Sequence, residues 1–190
     1  MKPINLPIFP LKLVVLPGTI QGLQIFEPRY LNMVKQCMSN ASNFVISYKS
    51  DKFDDFDFGI EKVGTSVQIV DFNNLPNGLL GITVKAESKV SLNNIIQLED
   101  KSYLGEVLPL TEPEVDDQSL LAKYPDLIEV LVKLKEHPEI KTLQLNIDLD
   151  SADSVSYHLG NLIPLTADEK QTLLTACLLY TSPSPRDGRE

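Results

Sequence analysis

The chain has 190 residues, of which 43% are hydrophobic and 23% are charged, as is ordinary for a soluble globular protein of one large or two small domains. Its net charge of −9 argues against a nucleic-acid binder, because such proteins gain affinity by neutralising phosphates with clustered Lys and Arg. The sequence has no apolar run near the roughly 20 residues that span a bilayer and no signal-peptide pattern, so we expect a cytoplasmic protein without a membrane partner.

Residues 1 to about 110 carry the signals of short β-strands, interrupted once by a helix. The helix is predicted to begin at Glu27–Pro28, because proline is favoured in the first turn and apolar residues then follow at helical spacing. The pair Asn77–Gly78 has the turn chemistry of a hairpin. Short strands at this spacing favour an antiparallel barrel or sandwich. The predicted strands are Asn43–Tyr48, Val63–Val70, Leu79–Lys85, Glu87–Leu92 and Tyr103–Leu108.

An acidic, proline-containing segment, Thr111–Asp117, marks a boundary after which the apolar period becomes helical. Apolar residues then recur every three or four positions, and Pro125 should divide this stretch into two segments. Two further helices are predicted at Ser151–Leu162 and Thr166–Ala176. The second of these begins with a capping box, because Thr166 is followed by Glu169.

These patterns predict an α+β fold with two subdomains and a tail. A β-rich subdomain with one inserted helix should occupy residues 1–112, and a small helical bundle should occupy residues 117–176. The apolar pattern then stops, and Cys177–Asp187 is similar to the translation of a transposon-type sequencing adapter. We therefore interpret residues 177–190 as an artefact, expected to be disordered, with the native C-terminus beyond the sequence.

The sequence contains no recognisable motif for catalysis or metal binding. It has no G-x-x-x-x-G-K-[ST] phosphate loop and no G-x-S-x-G elbow, and its two histidines lie outside any H-E-x-x-H pattern. The acidic run Asp51–Asp57 lacks the glycine and terminal glutamate of an EF-hand, which favours a solvated loop. Cys37 is expected to be buried and structural. We therefore predict no catalytic residue, no metal and no cofactor.

Three motifs near the N-terminus and one near the C-terminus carry a resemblance to a known family. They are Phe9-Pro10-Leu11, Val15-Leu16-Pro17-Gly18, Leu23-Gln24-Ile25-Phe26-Glu27-Pro28-Arg29-Tyr30 and the segment Leu162–Leu174. Together with the order of strands and helices, they resemble the LON domain, the substrate-binding domain of the ATP-dependent protease La, over residues 5–176. The resemblance implies a PUA-like antiparallel pseudo-barrel followed by a C-terminal helical bundle.

The resemblance also implies a function. The form Glu27-Pro28-Arg29-Tyr30 is typical of stand-alone LON proteins, so we expect a non-catalytic protein that recognises polypeptide segments in protein quality control. Its partners would be polypeptide substrates, or a protease or chaperone. Two alternatives stay open: an N-terminal fragment of a Lon-type serine protease, and a PUA-like nucleic-acid-binding module, against which the acidic charge counts.

The candidate groove residues lie around the start of the first helix. Glu27 suits the positive end of the helix dipole, Arg29 can bind carboxylates or carbonyls as a planar fork, and Tyr30 offers an apolar face. We favour a clamp of the helix onto the barrel as their role, with a peptide groove as the functional alternative. Pro7, Pro10 and Pro17 are expected in stiff, irregular backbone, which would leave barrel edges to which an extended peptide can add as a strand. The candidates are Phe9, Pro10, Phe26, Glu27, Arg29 and Tyr30.

Overall fold

The computed structural model describes residues 2–51, 57–110, 116–143 and 145–176, and within them the chain is α+β, as predicted. The strands are β1 (Ile4–Leu11), β2 (Ile20–Ile25), β3 (Phe44–Lys49), β4 (Ile60–Asn74), β5 (Leu80–Gln97) and β6 (Tyr103–Pro109). The helices are α1 (Pro28–Asn40), α2 (Asp117–Leu121), α3 (Pro125–Glu136), α4 (Pro138–Lys141), α5 (Ala152–Leu162) and α6 (Ala167–Thr175).

Three of the sequence interpretations fall on residues outside the described ranges. The tail at 177–190 lies wholly outside them, as do most of the acidic run Asp51–Asp57 and most of the boundary Thr111–Asp117. The adapter interpretation and the division into two subdomains therefore stay predictions.

The strands pair in the order β2-β5-β4-β3-β1-β6, and β6 also pairs with β5. Residues 80–85 of β5 pair with β2, and its residues 90–97 pair with β6 on the same edge, while β4 runs along the opposite edge. Five strands therefore form a closed ring, and among the strands described β2 alone has a single neighbour. Whether this ring belongs to the PUA-like class stays a prediction.

The prediction of an antiparallel barrel is wrong for one pair of strands. β1 and β3 run parallel, with Ile8 opposite Val45 and Leu11 opposite Tyr48. Parallel neighbours need a long crossover connection, and here β2 and α1 supply it. Apolar alternation identifies a strand without showing its direction, so the sequence pattern could not distinguish this pair.

The expectation of irregular backbone at the N-terminal prolines is also wrong for two of them, because Pro7 and Pro10 lie inside β1. The pairings explain how the strand tolerates them. Pro7 lies where β1 pairs only with β6, and Pro10 lies where it pairs only with β3. Each proline is therefore in a half of the strand with one open edge, where a missing N–H costs little.

Several local predictions are confirmed by the backbone geometry. Pro28 begins α1, Pro125 begins α3, and Gly78 forms the β4–β5 turn with a φ of 80°. At α6, the hydroxyl of Thr166 accepts from the Glu169 amide, and the Glu169 carboxylate accepts from the Thr166 amide at 2.7 Å. By contrast, the two strands predicted at 79–85 and 87–92 are one continuous strand, β5.

Two apolar clusters connect the helices to the sheet. The first lies under α1, whose buried residues Tyr30, Met33, Val34 and Cys37 pack against the strands. Burial raises the pKa of the Cys37 thiol, which fits a structural role. The second cluster joins the segment after β1 to β4, α5 and α6, and contains Val14, Leu16, Val63, Tyr157 and Leu174. The helical segment is therefore packed onto the sheet through a shared core.

Gly64 provides a test of the β3–β4 packing. A Cβ at this position would lie 2.7 Å from the carbonyl oxygen of Ile46 and 2.9 Å from a methyl carbon of Val45, so the backbone would have to move. We expect Gly64→Ala to lower the free energy of unfolding by roughly 1–3 kcal/mol, measured by urea denaturation. Gly22→Ala is the control, because a Cβ there meets nothing within 4 Å. Equal urea midpoints for the two variants would contradict this packing.

Candidate functional site

One concavity, of about 230 Å³, opens where the ends of β1, β2 and β3 meet the start of α1 and of β6. We call it the α1 concavity. The structure brings all six candidate residues from the sequence into its lining. They are Phe9, Pro10, Phe26, Glu27, Arg29 and Tyr30.

The chain turns sharply from strand to helix at the rim of the concavity. β2 ends at Ile25 and α1 begins at Pro28, so only Phe26 and Glu27 make the connection. Glu27 is the N-cap residue, in extended backbone conformation and without a side-chain cap hydrogen bond. Pro28 supplies the fixed φ that a first helical turn needs and has no N–H to leave unpaired. The turn therefore holds Phe26 and Glu27 at the rim.

The floor of the concavity is aromatic. The rings of Phe9 and Tyr30 are buried, with their centroids 4.3 Å apart and their planes tilted by 37°. Phe44 lies beneath them, with its ring centroid 6.3 Å from that of Phe9. Burial raises the pKa of Tyr30 to about 12, so this phenol is neutral at physiological pH. The floor thus presents an apolar, uncharged surface.

Arg29 forms the polar wall. Its Nε and Nη2 each lie 2.8 Å from Oε2 of Glu27, and its Nη1 donates to the carbonyl oxygen of Lys101 at 2.6 Å. The guanidinium carbon lies 4.7 Å from the ring centroid of Tyr30, a cation–π distance. Burial is the largest single influence and opposes the charge, but the Glu27 hydrogen bond and the nearby Tyr30, Glu27 and Tyr103 groups together outweigh it, and the pKa of Arg29 is raised. Arg29 therefore ties the start of α1 to the β5–β6 hairpin.

Two exposed aromatic residues mark the apolar rim and its surroundings. Phe26 lines the concavity and is 65% exposed, the largest exposed fraction among the large hydrophobic residues described. Phe58 is 40% exposed, and its ring centroid lies 5.3 Å from that of the lining residue Tyr103. Phe58 also has a φ of 60°, which is rare for a bulky residue. Exposed aromatic surface beside a concavity is typical of a binding site.

The six candidate residues chosen from the sequence do not include five lining residues, which are Leu11, Gln24, Ile25, Lys49 and Tyr103. Leu11, Gln24 and Ile25 lie inside the quoted motifs, so they could have been added as neighbours of the candidates. Lys49 and Tyr103 lie in the lining because of long-range strand pairing: β3 runs beside β1, and Tyr103 of β6 lies opposite Ile8 of β1. No local signal identifies such residues.

Two titratable groups of the lining are constrained by their surroundings. Its acidic group, Glu27, is engaged with Arg29, and its buried phenol, Tyr30, has a raised pKa. Across the described ranges, we find no group of three or more His, Cys, Asp or Glu residues that could hold a metal ion. No helix in those ranges is both long and apolar enough to cross a membrane.

Comparison with protein families and curated relatives places the chain among Lon sequences. A family model described as the ATP-dependent protease La (LON) substrate-binding domain matches residues 5–179. The chain is 28% identical to Lon protease 1 of Thermus thermophilus, over 90% of this chain and 22% of the relative. It is 22% identical to Lon protease of Halothermothrix orenii, over 92% of this chain and 23% of the relative. The chain thus spans less than a quarter of the length of these curated relatives.

Two solved structures extend the comparison. The structure described as a Lon N-terminal domain protein from Xanthomonas campestris matches with a TM-score of 0.67 and 27% identity, covering 95% of this chain and 99% of that one. The N-terminal domain of the Mycobacterium avium complex Lon protease matches with a TM-score of 0.68 and 16% identity, covering 93% and 95%. At 16% identity, the second match supports the fold alone.

The contacts of Arg29 predict the effect of changing it. Arg29→Lys keeps the charge but loses the planar fork that reaches Glu27 and the Lys101 carbonyl at once. We expect a loss of roughly 1–2 kcal/mol in the free energy of unfolding, and faster amide hydrogen exchange in the β5–β6 hairpin. Lys35→Gln is the control, because Lys35 is exposed on the same helix. Unchanged hairpin exchange in Arg29→Lys would show that the clamp is not formed.

Proposed function

The chain belongs to the LON substrate-binding domain family, and from this we propose that it binds extended apolar segments of polypeptides at the α1 concavity without catalysing a reaction on them. The observation that carries the proposal is the combination of a buried aromatic floor with an exposed Phe26 at the rim. At 65% exposure, the side chain of Phe26 leaves most of its apolar surface in water. Contact with an apolar partner would remove that surface from water.

The size of the concavity supports a side chain as the bound group. Pockets for drug-sized small molecules usually measure about 300–1,000 Å³, whereas this concavity has a volume of about 230 Å³. Of its three charged lining residues, Glu27 and Arg29 bind each other, and Arg29 also binds the backbone carbonyl of Lys101, which leaves Lys49 as the third. Affinity would therefore come from apolar contact, with one ligand side chain in the concavity and the rest of the segment outside it.

Binding of this kind suits a role in protein quality control. Unfolded chains expose apolar side chains that folded proteins bury, so a site for one apolar side chain in an extended segment would distinguish the two states. Polypeptide substrates, or a protease or chaperone that shares them, are the partners we propose. A nucleic-acid ligand is disfavoured by the net charge of −9.

We further propose that the protein acts as a stand-alone LON protein. The Glu27–Tyr30 form supports this, as does the match over 99% of a chain described as a Lon N-terminal domain protein. The second candidate is the N-terminal part of a Lon protease. It is favoured by the curated relatives, which are named Lon proteases and are covered over only 16% to 23% of their length.

The genomic reading frame tests these two candidates. For a stand-alone protein, we expect the frame to reach a stop codon shortly after the codon of Ala176, because no ATPase or protease domain would follow the substrate-binding domain. Sequencing the native locus outward from that codon is the measurement. An ATPase domain followed by a protease domain in the same frame would establish the second candidate instead.

Phe26 provides the test of the binding site. We expect Phe26→Ser to weaken binding of reduced, alkylated α-lactalbumin by about 10-fold or more, since burying one aromatic side chain contributes about 1.5–3 kcal/mol. Fluorescence anisotropy of the labelled polypeptide is the measurement. Folding should be unaffected, because Phe26 is largely exposed. The matched control is Tyr124→Ser, which removes another exposed aromatic from the helical segment. If only Tyr124→Ser weakens binding, the polypeptide binds in the groove between α2, α3 and α5 and not at the α1 concavity.

A further inference from the structure

The outer edge of β2 has no partner strand among the described residues. β2 pairs through its whole length with β5, from Ile20 opposite Lys85 to Ile25 opposite Leu80, and with no other strand described. Natural proteins usually protect such an edge with charged residues or proline, because its unpaired N–H and C=O groups are a template for another strand. The six residues of β2, Ile-Gln-Gly-Leu-Gln-Ile, include neither.

The register shows which backbone groups face outward. The ladder begins where the amide of Ala86 donates to the carbonyl of Thr19 and the amide of Gly18 donates to the carbonyl of Ala86. In an antiparallel ladder, every second residue points its N–H and C=O toward the partner strand. Counting from Thr19, the groups of Ile20, Gly22 and Gln24 therefore point away from β5. The side-chain amide of Gln21 donates to the Gly22 carbonyl at 2.9 Å, as expected for a carbonyl outside the ladder.

Gly22 lies at the centre of this edge, and no contact with the part of the chain that the structure describes requires a glycine there. Its φ is outside the left-handed region, and a Cβ would meet no atom within 4 Å. Glycine weakens an isolated strand, but it allows another backbone to approach closely. The open space around Gly22 contrasts with Gly64, where a Cβ would collide with the neighbouring strand.

The edge continues into the α1 concavity. Gln24 and Ile25, at the end of β2, line the concavity together with Phe26, which follows them. β1 also borders the concavity, and there it contributes Pro10, which has no N–H to offer. A segment that pairs with β2 would therefore reach the concavity and could place one side chain in it.

We propose that the outer edge of β2 binds an extended polypeptide segment as an added strand, with one apolar side chain of that segment entering the α1 concavity. This inference rests on the proposed function, because it names the binding mode of the same site. Main-chain hydrogen bonds to Ile20, Gly22 and Gln24 provide affinity that is independent of sequence, and the concavity selects an apolar side chain.

A second copy of β2 fits this site less well than an unrelated segment. If two β2 strands paired in antiparallel fashion about Gly22, the residue opposite Phe26 would be Gly18 of the other copy. Glycine has no side chain, so the concavity would stay unfilled. An unfolded polypeptide can instead slide until a large apolar side chain lies at that position.

Gly22→Pro tests the proposal, because it removes one outward N–H and leaves the β2–β5 ladder intact. The probe is a labelled ten-residue peptide with alternating Thr and Val and one central Phe. We expect the variant to weaken binding of this peptide by roughly 2- to 10-fold, because one main-chain hydrogen bond is lost. Leu23→Pro is the folding comparison: its N–H faces β5, so it should lower the urea midpoint, whereas Gly22→Pro should not.

Peptides N-methylated on alternate residues test the same idea on the unaltered protein. Methylating the amides that face β2 should abolish binding, while methylating the other alternate set should have little effect. This measurement holds even if Gly22→Pro fails to fold.

Three outcomes would overturn the strand-addition proposal. Equal binding by both methylated peptides, with Phe26→Ser still weakening the interaction, would leave the proposed function in place and remove only the added strand. If no unfolded polypeptide binds, both the proposed function and the strand-addition proposal are wrong. A dimer in sedimentation velocity that Gly22→Pro converts to a monomer would identify a second copy as the occupant of the edge.

Discussion

The length of β5 is the constraint on which the rest of the structure depends. At 18 residues, it borders β4 on one side and is long enough to take two strands on the other, β2 beside its first part and β6 beside its last. The ring of strands closes only where β6 pairs. At the level of β2, no described strand completes it, so the end of β1 and the end of β2 border an opening. The α1 concavity occupies that opening, and α1 covers the apolar core beside it.

The polar groups of the concavity serve the scaffold, and this limits what the site can do. Arg29 neutralises Glu27, binds the hairpin through the Lys101 carbonyl and lies over the ring of Tyr30. These contacts hold the start of α1 against the sheet and keep the aromatic floor in position. The groups left to meet a ligand are the rings, the exposed Phe26, the side chains of Gln24 and Lys49, and the backbone edge of β2. Under the proposed function, such a surface would recognise apolar character and extended backbone, and both are properties of unfolded polypeptides.

Local chemistry made much of the fold predictable, and long-range pairing made the rest inaccessible to sequence reasoning. The start of α1 at Pro28, the turn at Gly78 and the capping box at Thr166 each depend on a few neighbouring residues. The parallel β1–β3 pair and the tolerance of prolines in β1 depend on which strands meet, and periodicity carries no such information. The residues that line the α1 concavity show the same division between local and long-range information. A motif revealed Phe26 to Tyr30, but only the fold brings Tyr103 and Lys49 beside them.

The acidic charge of the chain accounts for an edge that carries no protection of its own. An uncharged strand such as β2, with unpaired backbone groups, would normally favour self-association. Two copies of this protein repel each other, because each carries a net charge of −9, and this repulsion opposes edge-to-edge pairing at low ionic strength. A neutral or basic unfolded segment meets no such repulsion. Charge and edge together would therefore favour foreign segments over a second copy, and the preference should decline as salt screens the charges.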